Sequence, residues 1–310
     1  MKKRLLFSGA GGSIFPYMFN ALEEDYEVYA MDSDEKIAHL YKNEKIFTVP
    51  NISDDAFETI ISNIIKEHKI DVYIPGIDEE ILIAIEISKK MGIQILSPNE
   101  AFVKLCLDKF QLMKVLNTHR ISTIETYMAD EYNENFDYPI FLKPNIGRGS
   151  RGIKKIDNLN EYESYFILEE YEKEEILVQP FVGGDEYTVS VTVNNLNQLI
   201  SIVPKIVFTK QGITKYAQSI KHEKIEEICK KIVDLLNPHG SFNVQLKLLD
   251  NEVYIFEINP RFSTTLVLSV ASGINEIDLA IQNFDKKEVD YIEDFKEVKL
   301  IRRWENVFYE

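Results

Sequence analysis

Near the C-terminus the chain reads Asn243-Val244-Gln245 and then, after an Asp250-Asn251 turn, Tyr254-Ile255-Phe256-Glu257-Ile258-Asn259-Pro260-Arg261. In a strand, alternate side chains share a face, so Glu257, Asn259 and Arg261 project together, with Ile255 before them and Phe256 and Ile258 toward the core. One carboxylate and two amides, from Gln245 and Asn259, offer only oxygen to a hard cation, and a guanidinium beside them suits phosphate oxygens. The set implies a site for magnesium on a nucleoside triphosphate, and a polar strand end is the plain alternative. Register decides between them. Gln245 joins the Glu257 face only if residues paired across the hairpin sum to an even number. A three-residue loop at Asp250 to Glu252 meets that condition, whereas a two-residue Asp-Asn turn sets Gln245 opposite Phe256.

Three further stretches carry chemistry. Lys143-Pro144-Asn145-Ile146-Gly147-Arg148-Gly149-Ser150-Arg151-Gly152 delivers a lysine from a strand into a loop with three glycines and a serine. Glycines let backbone N–H groups approach phosphate oxygens, and Lys143 supplies a point charge; a flexible hairpin tip is the alternative. The order is not that of a P-loop, because no Gly-Lys-Ser/Thr opens a helix. Gln179-Pro180-Phe181-Val182 leads into Gly183-Gly184-Asp185-Glu186. There a proline-broken strand could wall a flat base and Glu186 could reach a sugar hydroxyl. Gly9-Ala10-Gly11-Gly12-Ser13-Ile14, with Asp32 ending the next strand, matches only two of the three glycines of a dinucleotide fingerprint. These glycines can equally serve a tight strand-to-helix turn.

The elements that position these residues change character along the chain. Up to about residue 100, strands at 5–8, 28–32, 45–49, 71–75 and 93–96 alternate with helices ending at Leu22 and spanning 56–68 and 79–91, the pattern of a doubly wound parallel sheet. One helix from Glu100 to Leu116 carries Asp108-Lys109. Beyond it, strand-like pieces crowd together (138–144, 153–156, 176–182, 187–193, 199–208 and the 243–260 hairpin) with helices at 160–171 and 223–236, an α+β region. Val298 to Phe308, with Trp304, is expected to pack back as a strand. A formal charge of −16 argues against nonspecific grip on nucleic acid or anionic lipid. Cys106 and Cys229 read as core thiols, the second on the helical stripe Ile225, Ile228, Cys229, Ile232, Val233 and Leu236. The five histidines lack zinc spacing, and no Ser-His-Asp or Cys-His arrangement is evident. The opening Met1-Lys2-Lys3-Arg4 runs into a strand pattern and no apolar run reaches membrane-spanning length, so a cytoplasmic protein is expected.

Taken in order, Asp108-Lys109, Lys143 with its glycine loop, Gln179 to Glu186, Gln245 and Glu257-x-Asn259-x-Arg261 resemble the ATP-grasp superfamily, and most closely its branch like the carbamoyl-phosphate synthase large subunit. Ser8 to Ser13 and Ile74-Pro75-Gly76-Ile77-Asp78 resemble the Rossmann-like domain that precedes the grasp. The resemblance implies a pre-ATP-grasp domain at 1–100, a small lid subdomain at 101–178, and a large subdomain at 179–310 with the metal site and a C-terminal strand. It implies ATP with Mg2+, or Mn2+ in its place, and transfer of the γ-phosphate to a small-molecule carboxylate. An amine then attacks the acyl phosphate. Lys109 and Lys143 are implied at the phosphates, Gly147, Gly149, Ser150 and Gly152 in the covering loop, Gln179, Pro180 and Phe181 beside adenine, and Glu186 at the ribose. Gln245, Glu257 and Asn259 are the implied metal ligands, and Arg261 and Lys205 the catalytic cations. Lys205, Lys210 and Lys215 compete for the substrate carboxylate, each against the alternative of a solvated surface lysine. Gln179 and Ser190 stand where relatives often carry acids, and Lys205 where they often carry arginine. A carboxylase forming carboxyphosphate and a catalytically silent nucleotide-binding regulator are the competing readings. A homodimer is left open.

Overall fold

Runs such as Leu5-Leu6-Phe7 and Val28-Tyr29-Ala30-Met31 are apolar at every position and therefore demand cover on both faces. The computed structural model, which describes residues 2–41, 45–147, 151–303, 306 and 308, supplies it. Five parallel strands, β1 (Arg4–Ser8), β2 (Glu27–Asp32), β3 (Ile46–Thr48), β4 (Val72–Ile74) and β5 (Gln94–Ile95), lie in the order β3-β2-β1-β4-β5. Helices α1 (Phe15–Leu22) and α2 (Ile37–Tyr41) follow β1 and β2; α3 (Phe57–His68) and α4 (Ile81–Met91) pack on the opposite face through Phe57, Ile61, Ile65, Ala84 and Ile87.

The helix expected from Glu100 to Leu116 is two helices, α5 (Glu100–Leu107) and α6 (Lys109–Thr118). Asp108 breaks it. Its backbone is extended (φ −95°, ψ 93°) and its carboxylate caps the Gln111 N–H at 3.0 Å, the behaviour of an N-cap aspartate. A four-stranded antiparallel sheet follows, ordered β6-β9-β7-β8, from β6 (Tyr127–Met128), β7 (Ile140–Pro144), β8 (Lys154–Ile156) and β9 (Ile176–Pro180), with α7 (Leu159–Glu169) packed on it through Tyr162 and Tyr165.

The third sheet is antiparallel and six-stranded, ordered β14-β13-β10-β11-β12-β15: β10 (Asp185–Val193), β11 (Leu199–Gln211), β12 (Ile213–Ser219), β13 (Phe242–Leu249), β14 (Glu252–Asn259) and β15 (Lys299–Ile301). One face carries Tyr187, Val189, Val191, Val244 and Leu246 and packs on α8 (Glu223–Leu236), whose Ile225, Cys229, Ile232 and Val233 form the expected stripe. Cys106 and Cys229 are buried and unpaired, and burial pushes both thiols up. The other face is polar, and it is the face turned to the site. Strand β12 was not expected from the sequence, nor were α9 (Leu266–Ala271) and α10 (Glu276–Gln282). Phe262, Leu266, Ile277 and Ile281 from this region join Leu5, Phe7 and Phe15 in one core, so the end of the chain covers the first sheet. β15 pairs with β12, as expected of the final stretch; Trp304 lies outside the described residues. Among the described residues no helix is long and apolar enough to cross a membrane.

Candidate functional site

The β13–β14 hairpin brings Gln245 opposite Glu257 and Asn243 opposite Asn259. The pairing follows the expectation, but its cause does not. The connection is the two-residue Asp250-Asn251 turn, both residues left-handed (φ 50° and 63°), and Leu249 pairs with Glu252. Asp and Asn tolerate that conformation, which matches the twist of a hairpin. Parity is restored by a β-bulge: Gln245 pairs with Glu257 but Leu246 with Ile255, leaving Phe256 as the extra residue. Ile255 consequently enters the core, and Phe256 lines the site instead of pointing to the core as expected. The Phe256 carbonyl accepts the Lys143 ammonium at 2.9 Å. One inserted residue thus sets the oxygen ligands and anchors the lysine.

A cavity of about 170 Å³ opens over this face. Lys109, Lys143, Arg151, Lys210 and Arg261 line it from one chemical side and Glu186, Gln245, Glu257 and Asn259 from the other. Lys143 is buried, which lowers its pKa to about 8; Glu257 opposes that shift, while Lys109 and Lys210 add to it. Lys109 donates to the Asn145 and Gly147 carbonyls at 3.2 and 2.8 Å and lies 3.8 Å from Glu257. Asn145 is held in turn, its amide donating to Asp108 and its oxygen accepting the Phe110 N–H, so the root of the glycine loop is tied to the start of α6. Gly147 lines the cavity. Gly152 is left-handed (φ 67°), and a Cβ there would meet Pro144 at 2.9 Å and Tyr171 at 3.0 Å. Gly149 and Ser150 lie outside the described residues.

Glu186 is clamped by Lys210 at 3.1 Å and Lys247 at 3.5 Å. Lys210, near the tip of the β11–β12 hairpin, also donates to Gln245 Oε1 at 3.3 Å, bridging the carboxylate on β10 and an oxygen donor on β13. Of the three lysines of this hairpin, Lys210 is the one at the cavity. Lys205 is fully buried outside it, donating to Ser190 Oγ at 2.5 Å with Glu276 Oε1 3.5 Å away. Its expected place facing substrate is corrected accordingly: α10 closes over the polar sheet face at this point, and burial with Glu276 lowers the ammonium's pKa. Gln179, Pro180 and Phe181 do not line the cavity either. Gln179 is buried and donates to Thr126 Oγ1 at 2.8 Å; Phe181 stacks on Phe141 at 5.7 Å.

Arg261 was expected to face phosphate, and it lines the cavity with three of its N–H groups already taken. Nε and Nη2 donate to both oxygens of Asp78 at 2.7 and 3.0 Å, and Nη1 donates to the Phe262 carbonyl. Asp78 opens a 3-10 turn (Asp78–Glu80) just past β4. No role was assigned to it from the sequence, although a carboxylate just beyond the carboxyl end of a parallel strand is where such a role is to be sought. The N-terminal glycine turn is used internally: Asp32 accepts the Gly11 N–H at 2.8 Å and the Asp34 N–H at 3.0 Å. With that carboxylate at the turn, a dinucleotide pyrophosphate would meet like charge.

Residues 5–96 match the family model described as "PylC-like, N-terminal domain", and residues 172–307 match "ATP-grasp in the biosynthetic pathway with Ter operon". The C-terminal part of the chain thus matches an ATP-grasp family. Among its relatives is a carbamoyl-phosphate synthase of Methanobrevibacter smithii, 22% identical over 86% of this chain and 78% of that one. A D-alanine–D-alanine ligase of Petrotoga mobilis is 32% identical over 40% of this chain, and the match spans about half (47%) of that protein's length. The fold matches an N5-carboxyaminoimidazole synthetase from Staphylococcus aureus complexed with ADP (TM-score 0.74, 18% identity, 93% of this chain and 80% of that one). The chemistry of the donor set suits a hard cation such as magnesium. Glu257 and Gln245 face each other across the hairpin, with Asn259 one step along the same strand face, and all offer oxygen as magnesium requires. Among the described residues no cluster of three or more His, Cys, Asp or Glu is placed to hold a metal.

Proposed function

We propose that this protein is an ATP- and magnesium-dependent ligase that joins a small-molecule carboxylate to an amine through an acyl phosphate. One observation carries the reading: Lys109, Lys143, Lys210 and Arg261 converge on the cavity that Gln245, Glu257 and Asn259 also line. A triphosphate is the ligand that needs both sets at once. A substrate carboxylate oxygen attacks the γ-phosphorus, the bond from that phosphorus to the β–γ bridging oxygen breaks, and ADP leaves. The amine nitrogen then attacks the acyl carbon, phosphate departs with the carboxylate oxygen, and the nitrogen gives up its proton.

Gln245, Glu257 and Asn259 would hold the magnesium, which when bound offsets charge on the phosphate oxygens. Lys143 and Lys109 neutralise further phosphate charge. Arg261, fixed by Asp78, keeps two N–H groups for the transferring phosphoryl group or the acyl phosphate. Lys210 takes the place given to Lys205 as the cation on the substrate side, and Glu186 is the ribose contact. Gly147 and Arg151 line the cavity where the phosphates would lie, and closure there serves to exclude water, which would otherwise hydrolyse the acyl phosphate. The division at 1–100, 101–178 and 179–310 is part of the same proposal. It is supported by one sheet in each span, though α9 and α10 reach back to the first.

The test is Glu257→Gln, which keeps the shape and removes the charge. Carboxylate-dependent ADP release should fall by roughly a hundredfold or more; unchanged release would remove the metal assignment.

A further inference from the structure

In the first sheet the order β3-β2-β1-β4-β5 reverses direction between β1 and β4, so the turns after these two strands leave to opposite sides and open a crevice at their carboxyl ends. A cavity of about 70 Å³ lies there. Its walls are mostly carbon, from Phe7, Ile14, Phe15, Ile74, Phe262 and Ile277, with Ser8, Ser13 and Thr264 also in the lining. The polar groups of the two turns are consumed inward, Ser8 Oγ accepting the Gly76 N–H at 2.7 Å and Asp32 the Gly11 N–H. Gly76 has to be glycine, since a Cβ would sit 2.5 Å from the Ser8 carbonyl. Arg261 is the single charged residue in this lining, and with Thr264 it also lines the larger cavity. The two cavities therefore share a charged wall.

We propose that this crevice is the side-chain subsite of the carboxylate substrate and selects a small aliphatic acid, with or without an α-amino group. The inference rests on the ligase reading. The acid's carboxylate sits at the Arg261 wall, where it faces a γ-phosphate in the larger cavity, and its hydrocarbon end enters the crevice. A dicarboxylate would have to strip water from a second charge with no second cation in the lining to repay it, and a sugar acid would have to strip several hydroxyls with only Ser8, Ser13 and Thr264 to receive them. An aromatic ring overfills a space of about 70 Å³, room for only two or three groups of water size at ~30 Å³ each.

Ligand-observed NMR on the full chain tests this, with Mg2+ and the non-hydrolysable analogue AMP-PNP present. The probes are acetate, propionate and butyrate, with succinate and gluconate as contrasts, on the native chain and on Ser13→Trp, which places a ring at the exposed rim. Affinity should climb roughly fourfold for each buried methylene and exceed that for succinate and gluconate at least tenfold. Ser13→Trp should lose at least tenfold more affinity for butyrate than for AMP-PNP. A flat series, or tighter binding of succinate or gluconate, overturns the subsite while nucleotide binding keeps the ligase reading. The aliphatic profile without any AMP-PNP binding would keep the subsite and remove the ligase.

Discussion

Lys143 sits where its charge is most costly and most useful. Burial brings its pKa to about 8, so near pH 8 about half the free protein carries it as a neutral amine. A polyphosphate favours the charged form and raises that pKa, so Mg·ATP binding at pH 8 should take up roughly half a proton from this group. Calorimetry in two buffers of different ionisation enthalpy reads the uptake, and Lys143→Met should abolish it. The sign follows: affinity declines as pH rises through 8. Asp78 acts through Arg261. Asp78→Asn leaves the guanidinium without its counter-charge and free to swing, so turnover should drop roughly 10- to 100-fold while the KM for ATP moves less than about threefold. Asp78→Glu should recover part of the loss, and equal changes in both constants would contradict a positioning role. At this scale much was legible, because the period of two in β14 alone put Glu257, Asn259 and Arg261 on one face. Lys205 was not. Its burial is imposed by Glu276, seventy-one residues later and on a helix that no local pattern announced.

At the scale of elements, the site depends on an irregularity. A two-residue turn and a bulge at Phe256 together give the facing that a three-residue loop would have given alone. Counting residues between Gln245 and Glu257 yields the right parity but cannot say where the extra residue goes, and Ile255-Phe256-Glu257 has no glycine to mark it. Deleting Phe256 should leave a folded hairpin, because the two-residue turn remains. It should keep Gln245 opposite Glu257, since the ladder then runs on from Leu246–Ile255 without a bulge, but cost the Phe256 carbonyl that anchors Lys143, so the affinity for Mg·ATP should fall at least tenfold. Circular dichroism with nucleotide titrations, with and without Mg2+, would show it. The break at Asp108 was readable in principle: an aspartate three residues before Gln111 is an N-cap signal, overridden here by the apolar stripe that continues from α5 into α6.

Across the whole molecule, the parallel first sheet and the antiparallel remainder were plain from alternation and spacing. The way the chain closes on itself was not. Leu266–Ala271 is short and, apart from Ser269, apolar, so periodicity cannot separate it from a strand, yet it and α10 cover the first sheet. Arg302 adds to this closure, donating to the carbonyls of Thr214, Ser13 and Thr264, and so joins the hairpin over the larger cavity to the glycine turn beside the smaller one. Substrate binding that draws these parts together should raise the melting temperature in step with ligand concentration, as RT ln(1 + [L]/Kd) requires. The most direct test of the central claim is ADP and phosphate release from Mg·ATP with pooled aliphatic acids, with and without pooled amines, and with hydroxylamine as a trap for acyl phosphate. The account predicts release that depends on the acids and a hydroxamate when hydroxylamine replaces the amines. Failure to bind Mg·ATP, or phosphate release indifferent to both pools, would contradict it.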